Sequence, residues 1–457
     1  MKMELQDFLE QSHYFRGEII VLEKTENSEL LDTVKPCNEE FFEAVFSPNG
    51  PYWKTYSTLG FGKKPLNAKY LVLADNKMYF CRNTEKHFMY AIGPKKNFRY
   101  SNSRVSEKYP FSLDNLLLLL STPFDFARQV SAVALSALKL NEKLQEFEKF
   151  STESKKFLAA NAPNSNANEE LIKKSLQGAI DAMEYSFYAS MAYSLKTKLK
   201  ESSSWSDCEL ENLSNFAGEK GANGKIKEEF GFYSKNPYDI SMPRFNEEPE
   251  SAIEFKKLKA PKNPAARWRE NCKFLCARYL GVLREIYLSQ GKESGLGGDI
   301  FFLKPNELFE KSAKSKPIIS GRKELYNSQS ASKLPKTLVF DGKWNIPERK
   351  QSGKIIGLPA GGQRIVSGEV VFVDQEIDFK KKLDGKIVVS QTLSPNLVML
   401  FDRISGIVSA GGGRTAHTAI VAIEQNMPCV VQTKNIGSIN EGDSIRVDGS
   451  TGKIEKL

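Results

Sequence analysis

Between residues 404 and 425 a strand, a glycine turn and a helix follow one another directly, and no other stretch constrains the local fold as tightly. The β-branched run Ile404 to Val408 leads into Gly411, Gly412 and Gly413. Arg414 and Thr415 come next, then a small-residue segment from Ala416 to Gln425 that reads as a helix. This order sets His417 in the first turn of that helix, where unbonded backbone N–H groups and the helix dipole favour negative charge beside the ring. An imidazole so placed is suited to carry a phosphoryl group, and the chain has just three histidines in 457 residues. The other two, His13 and His87, have no comparable surroundings. Gly411, Gly412 and Gly413 permit close backbone approach to a phosphate, and equally a tight turn. Arg414 is a candidate phosphate contact. Thr415 belongs to the same candidate set, with capping of the helix as its plainer role.

The glycine-backed histidine lies in a segment whose character differs from the rest. From residue 353 to 457, glycine and valine dominate and short strands recur at Gly368 to Val373, Lys386 to Ser390, Ile404 to Val408, Pro428 to Val431 and Ser444 to Val447. Helical segments at Ser394 to Phe401 and Ala416 to Gln425 are interleaved, which predicts a compact α/β domain of ordinary size. Residues 336–352 are polar, with Pro347 and several lysines, and read as a linker. The preceding 335 residues read as a mostly helical body. Apolar residues recur at three and four over Phe124 to Phe150, Asn168 to Lys200 and Ala265 to Gln290. Tyr70 to Ala74 and Met78 to Cys81, joined by Asp75-Asn76-Lys77, predict a β-hairpin. Ser202 to Glu250, rich in Gly, Asn, Ser and Pro, reads as irregular.

Composition narrows the class. The chain is 40% hydrophobic and 26% charged, as expected of a globular protein with two or three domains. The longest purely apolar run, Leu116 to Leu120, is far too short to span a bilayer, so no membrane partner is expected. The N-terminus has no signal-peptide core, which points to the cytoplasm. The net charge of +9 comes from dispersed lysines without a basic-aromatic array, which argues against a nucleic-acid partner. Six scattered cysteines, Cys272 and Cys276 among them, read as reduced buried thiols, and no metal site is expected.

Several motifs occur in a fixed order: Gly357-Leu-Pro-Ala-Gly-Gly362, Gly368-Glu-Val-Val371, Thr392-Leu-Ser-Pro395, Ala410 to Ala422, and Met427-Pro-Cys-Val-Val431. Together they resemble the mobile phosphohistidine domain of the PEP-utilising enzymes, the family of PEP synthase, pyruvate phosphate dikinase and rifampin phosphotransferase. One departure is Ala422-Ile423-Glu424, where that family usually has Ala-Arg-Glu; Arg414 is left as the candidate replacement for the missing positive charge. The body resembles the central region of the rifampin phosphotransferase group through Tyr238 to Phe245, Arg284-Glu285 and Gly298 to Leu303. Gly231-Phe232-Tyr233 stands where that group has Gly-His-Arg at its acceptor site.

The resemblance implies a multidomain α+β fold, with a mostly helical body carrying a β-hairpin and a compact α/β swivelling phosphohistidine domain. It implies a phosphotransferase component in which His417 carries a phosphoryl group from ATP to a small-molecule acceptor. Since no ATP-grasp sequence is recognised, a separate ATP-grasp subunit is the expected partner, supplying ATP and Mg2+. Arg244, Arg278, Arg284 and Glu285 are the candidate acceptor contacts. The alternative is a non-catalytic or regulatory phosphocarrier that docks on a kinase partner.

Overall fold

The computed structural model describes residues 20–24, 30–31, 33–62, 69–88, 113–161, 168–200, 208–216, 222–249, 261–309, 312–330, 334–335, 337–340, 344–345, 355–373, 383–390, 393–414, 416–434 and 436–457. His13, Thr392 and Thr415 fall outside these residues.

The body opens with β1 (Ile20–Lys24), then α1 (Pro36–Val45) and α2 (Pro51–Leu59), each with proline in its first turn. The predicted hairpin forms as β2 (Leu71–Ala74) and β3 (Lys77–Cys81). Its two turn residues, Asp75 and Asn76, have φ of 49° and 58°, the left-handed conformation that tight two-residue hairpins need and that these side chains tolerate. After α3 (Arg82–Phe88) come the long α4 (Leu113–Ala160) and α5 (Glu169–Ser194), where Asn168 Oδ1 caps the helix by accepting from Leu171 N at 2.8 Å. The stretch expected to be irregular instead holds two short helices, α6 (Glu209–Phe216) and α7 (Ala222–Phe230). Each is barely two turns long, and their apolar residues fold onto Phe274, so tertiary burial and not propensity makes them helical.

The helix α8 (Pro264–Glu293) is the spine of the body and packs along α5. Gly178 makes this close crossing possible, because a Cβ there would lie 2.3 Å from the ring of Tyr279. The Tyr279 hydroxyl reaches Ser154 Oγ on α4 at 2.8 Å, tying three helices together. Buried aromatics, among them Trp53, Phe147, Tyr188, Trp268 and Tyr287, fill the core around this crossing. A 3-10 turn at Gly297–Phe302 and α9 (Ser312–Ser330) close the helical part.

The hairpin belongs to a larger sheet, ordered β2-β3-β1-β4-β5, that includes β4 (Thr337–Phe340) and β5 (Trp344–Asn345). The segment read as a linker over 336–352 therefore begins with two strands of the body. Leu338 and Val339 pair with Leu22 and Val21, and burial of that short apolar run outweighs its polar surroundings.

The C-terminal unit is a closed seven-stranded barrel in the order β10-β6-β12-β11-β7-β8-β9. In chain order these are β6 (Ile355–Pro359), β7 (Ile365–Phe372), β8 (Ile387–Ser390), β9 (Gly406–Ser409), β10 (Cys429–Lys434), β11 (Ser444–Asp448) and β12 (Lys453–Lys456). One side, β7 to β10 through β8 and β9, is parallel. A 3-10 helix, Pro395–Leu400, precedes β9, and α10 (His417–Glu424) joins β9 to β10. The expected α/β domain is thus a barrel, with β6 and β12 added to the five strands read from the sequence.

Candidate functional site

The loop from β9 into α10 is built to hold His417 at the helix start. Gly412 has φ of +93°, and a Cβ there would meet Leu393 Cβ at 2.6 Å, so the middle glycine of the three is required by the backbone. Gln432 Nε2 donates to the Gly412 carbonyl at 3.2 Å, and Ala416 N donates to that of Gly413 at 3.0 Å. Ala416 is the N-cap and makes no side-chain cap bond; the capping expected of Thr415 lies outside the described residues. The first turn is fixed from the other side, where Thr418 Oγ1 donates to the Ser394 carbonyl at 2.7 Å. Arg414, on this loop, is exposed.

His417 is 4% exposed, because the barrel lies against the N-terminal part of α8. Its Nδ1 is 3.3 Å from Glu270 Oε1, while the other oxygen of Glu270 accepts from Lys273 Nζ at 3.1 Å. Glu270 and Lys273 are themselves nearly inaccessible, at 3% and 6%, and Arg269 is buried beside them. Burial alone would push the Glu270 carboxyl up; the charges of Lys273 and His417, the hydrogen bond from His417 and the charge of Arg269 outweigh it and hold the carboxyl well below the usual range. His417 Nε2 meets no donor or acceptor among the described residues. An imidazole whose Nδ1–H is held by a carboxylate keeps its lone pair on Nε2, the atom a nucleophilic histidine uses, and in this docked arrangement that atom is buried.

A second contact joins barrel and body. Glu424 Oε1 accepts from the backbone N–H of Lys262 at 2.9 Å and of Asn263 at 3.1 Å, at the start of α8. Tyr193, at the end of α5, lies close by. Burial raises its phenol pKa, the charge of Glu424 adds to the rise, and Arg414 and Arg269 oppose it. Arg414 is thereby close enough to this junction for its charge to be felt.

The acceptor candidates are elsewhere. Arg278 pairs with Glu209 at 2.8 Å and lies over the Phe232 ring at 3.9 Å. Arg284 is clamped by both oxygens of Glu247 at 2.6 Å and donates to the Ile240 carbonyl. Arg244 reaches Ser234 Oγ at 2.8 Å, and burial followed by the charge of Arg284 lowers its guanidinium pKa to about 10. Glu285 is half-buried, and burial, then the charge of Glu247, raises its pKa. At ~1.5 Å per residue, Arg278 lies about 12 Å and Arg284 about 21 Å along α8 from Glu270. Arg244, Arg284 and Glu285 form one cluster around Glu247, and it is not at His417. Phe232 and Tyr233 pack on Phe274, Tyr233 stacking at 4.5 Å, so aromatic core occupies the place of the Gly-His-Arg element.

Glu270, which meets His417, and Lys273 and Arg269 beside Glu270 were not singled out by sequence reasoning. A signal was present. Ala266, Glu270, Lys273 and Ala277 fall on one stripe of α8, and charges continuing an apolar stripe mark a face that something covers. All six cysteines are buried and none is in a disulfide. No helix among the described residues is long and apolar enough to cross a membrane.

Comparisons with known proteins find likenesses to parts of the chain. Residues 382–452 match the family described as PEP-utilising enzyme, mobile domain. Rifampicin phosphotransferase of Bacillus subtilis is 34% identical over 166 residues, 34% of this chain and 19% of the relative. Phosphoenolpyruvate synthase of Pyrococcus furiosus is 37% identical over 93 residues, 20% of this chain and 11% of the relative. The chain thus spans a fifth or less of the length of these relatives. Among solved structures, that of Enzyme I (nEIt) covers 64% of this chain and 81% of its own at 12% identity and a TM-score of 0.18, a likeness that carries no structural argument.

Proposed function

Given a C-terminal domain of the PEP-utilising enzyme family, we propose that the chain is a phosphotransferase component that carries a phosphoryl group on His417 Nε2. The observation that carries this reading is the state of the ring, with Nδ1 engaged by Glu270 and Nε2 without a partner at the start of α10. In the loading step the Nε2 lone pair attacks phosphorus, an N–P bond forms and the P–O bond to the leaving group breaks. The Nδ1 proton stays shared with Glu270, which offsets the positive charge that develops on the ring. Delivery to an acceptor hydroxyl or carboxylate breaks the N–P bond again. Docked on α8, the phosphorylated ring lies beside Lys273 and Arg269, cations of the kind phosphoryl transfer requires. The N–H groups of the Gly411 to Gly413 loop, with Arg414 and Thr415, are the phosphate contacts on the barrel side.

The donor is ATP held with Mg2+ by a separate ATP-grasp partner, and the acceptor is a small molecule that binds at the 269–273 end of α8. The barrel carries the phosphoryl group between the two. A second reading, a regulatory phosphocarrier without acceptor chemistry, draws on Phe232 and Tyr233, which fill the place of an acceptor element with packed aromatic side chains.

The test combines the chain, a purified ATP-grasp partner, and ATP labelled at the β or the γ phosphate. Acid-labile, base-stable label is expected on the wild type and absent from His417→Ala. Label that persists in His417→Ala sinks the assignment. Label that loads on His417 but never leaves for any small molecule selects the second reading.

A further inference from the structure

We propose that Glu424 is a docking latch, a positioning residue that sets the register in which the barrel presents His417 to α8. The backbone donors at the start of α8 point to it. Pro264 has no N–H, and the N–H groups of Ala265 and Ala266 are taken by Asn263 Oδ1 at 2.9 and 3.3 Å. The donors of Lys262 and Asn263 remain, and both are satisfied by a single carboxylate oxygen from the barrel. The cap of α8, the spine of the body, is therefore completed by a side chain of the other domain. A carboxylate is the group best matched to the positive end of a helix dipole.

The spacing gives this contact its consequence. His417 and Glu424 are the first and last residues of α10, seven apart. Their partners Glu270 and Asn263 are also seven apart, in the opposite sense. Both spans are about 10 Å along a helix. The two helices therefore meet at two matched points, with α10 antiparallel to α8. One point holds the ring, and the other stops α10 from pivoting about it. Glu424 is exposed, so this second point is weak enough to release without unfolding either domain.

The inference rests on the docked barrel being the delivery station of the proposed carrier, but its test uses no phosphoryl chemistry. Diethylpyrocarbonate carbethoxylates accessible, unprotonated imidazole, and the rate at His417 is read by peptide mass spectrometry on the full chain. Glu424→Ala is expected to speed modification of His417 roughly two- to five-fold, the range a carboxylate at an exposed helix start provides. Glu424→Gln, which keeps an acceptor and loses the charge, should give a smaller rise, and Glu424→Lys, which opposes the dipole, a larger one. That graded order supports the latch. Rates unchanged in all three variants overturn it. An equal rise in all three overturns it too, because that marks lost packing and not a charge-directed contact. A failure of His417 to load phosphate would leave these rates, and the latch with them, untouched.

Discussion

Removal of the Glu270 carboxylate is the perturbation that tests the site most directly. Glu270 and Lys273 are 3% and 6% exposed and 3.1 Å apart, so Glu270→Ala leaves a buried ammonium without this carboxylate. Breaking a buried pair by removing one partner costs about 3–5 kcal/mol. For a domain of this size each kcal/mol shifts the unfolding midpoint by about 2–4 °C, so the body should melt lower by on the order of 10 °C. Glu270→Gln keeps the shape and a hydrogen-bond acceptor and should cost less. The double variant Glu270→Leu with Lys273→Met should recover most of the loss, since apolar residues of similar volume often match or better a buried ion pair. Differential scanning calorimetry on the full chain reads all four proteins. A loss below about 1 kcal/mol in Glu270→Ala would place the pair in solvent and refute the docked geometry. A double variant no more stable than Glu270→Ala would refute the coupling.

Two further outcomes follow from the same geometry. The Glu270 carboxyl is depressed in the folded protein, so its stabilising contribution is full above the unfolded value of about 4.3 and drains away as pH falls through the folded value. Acid titration of the thermal midpoint should therefore fall more steeply below about pH 4 in the wild type than in Glu270→Gln, and parallel curves would count against the depression. Gly412→Ala places a methyl 2.6 Å from Leu393 Cβ on a backbone at φ +93°, and should destabilise the barrel by about 1–3 kcal/mol while leaving the body transition in place.

How far the fold could be read in advance depended on how local its causes were. Gly411 to Gly413 before a small-residue run declared the turn into α10, and Asp75-Asn76 declared the hairpin, because each is set by conformations within a few residues. The long helices α4, α5 and α8 followed from the recurrence of apolar residues. The strands β6 and β12 did not. Ile355 to Pro359 is interrupted by a glycine and ends in proline, Lys453 to Lys456 is mostly charged, and they become strands by pairing with each other and with neighbours distant in sequence. β4 was hidden for the same reason, its apolar residues surrounded by lysines and prolines and paired with β1 some three hundred residues away. At the site, His417 was legible from its own flanks. Glu270 and Lys273 were not, since charges in a helix read as a solvated face until a second domain covers them. Arg244, Arg284 and Glu285 gather around Glu247, away from His417, with Nε and Nη2 of Arg244 buried and unpartnered among the described residues, and Arg278 is paired to Glu209.

The closure of the barrel has a bearing on traffic. An open sheet ends in a row of backbone N–H and C=O groups that will accept a strand from any passing chain. In this barrel β6 and β12 pair, Ile355 with Ile454 and Ile356 with Lys453, and that seam uses up the last such row. Under the proposed function, the barrel leaves one surface for another and spends part of each cycle undocked. For the proposed carrier, a cylinder closed in this way can make that crossing without an unpaired row of backbone groups showing along a strand edge.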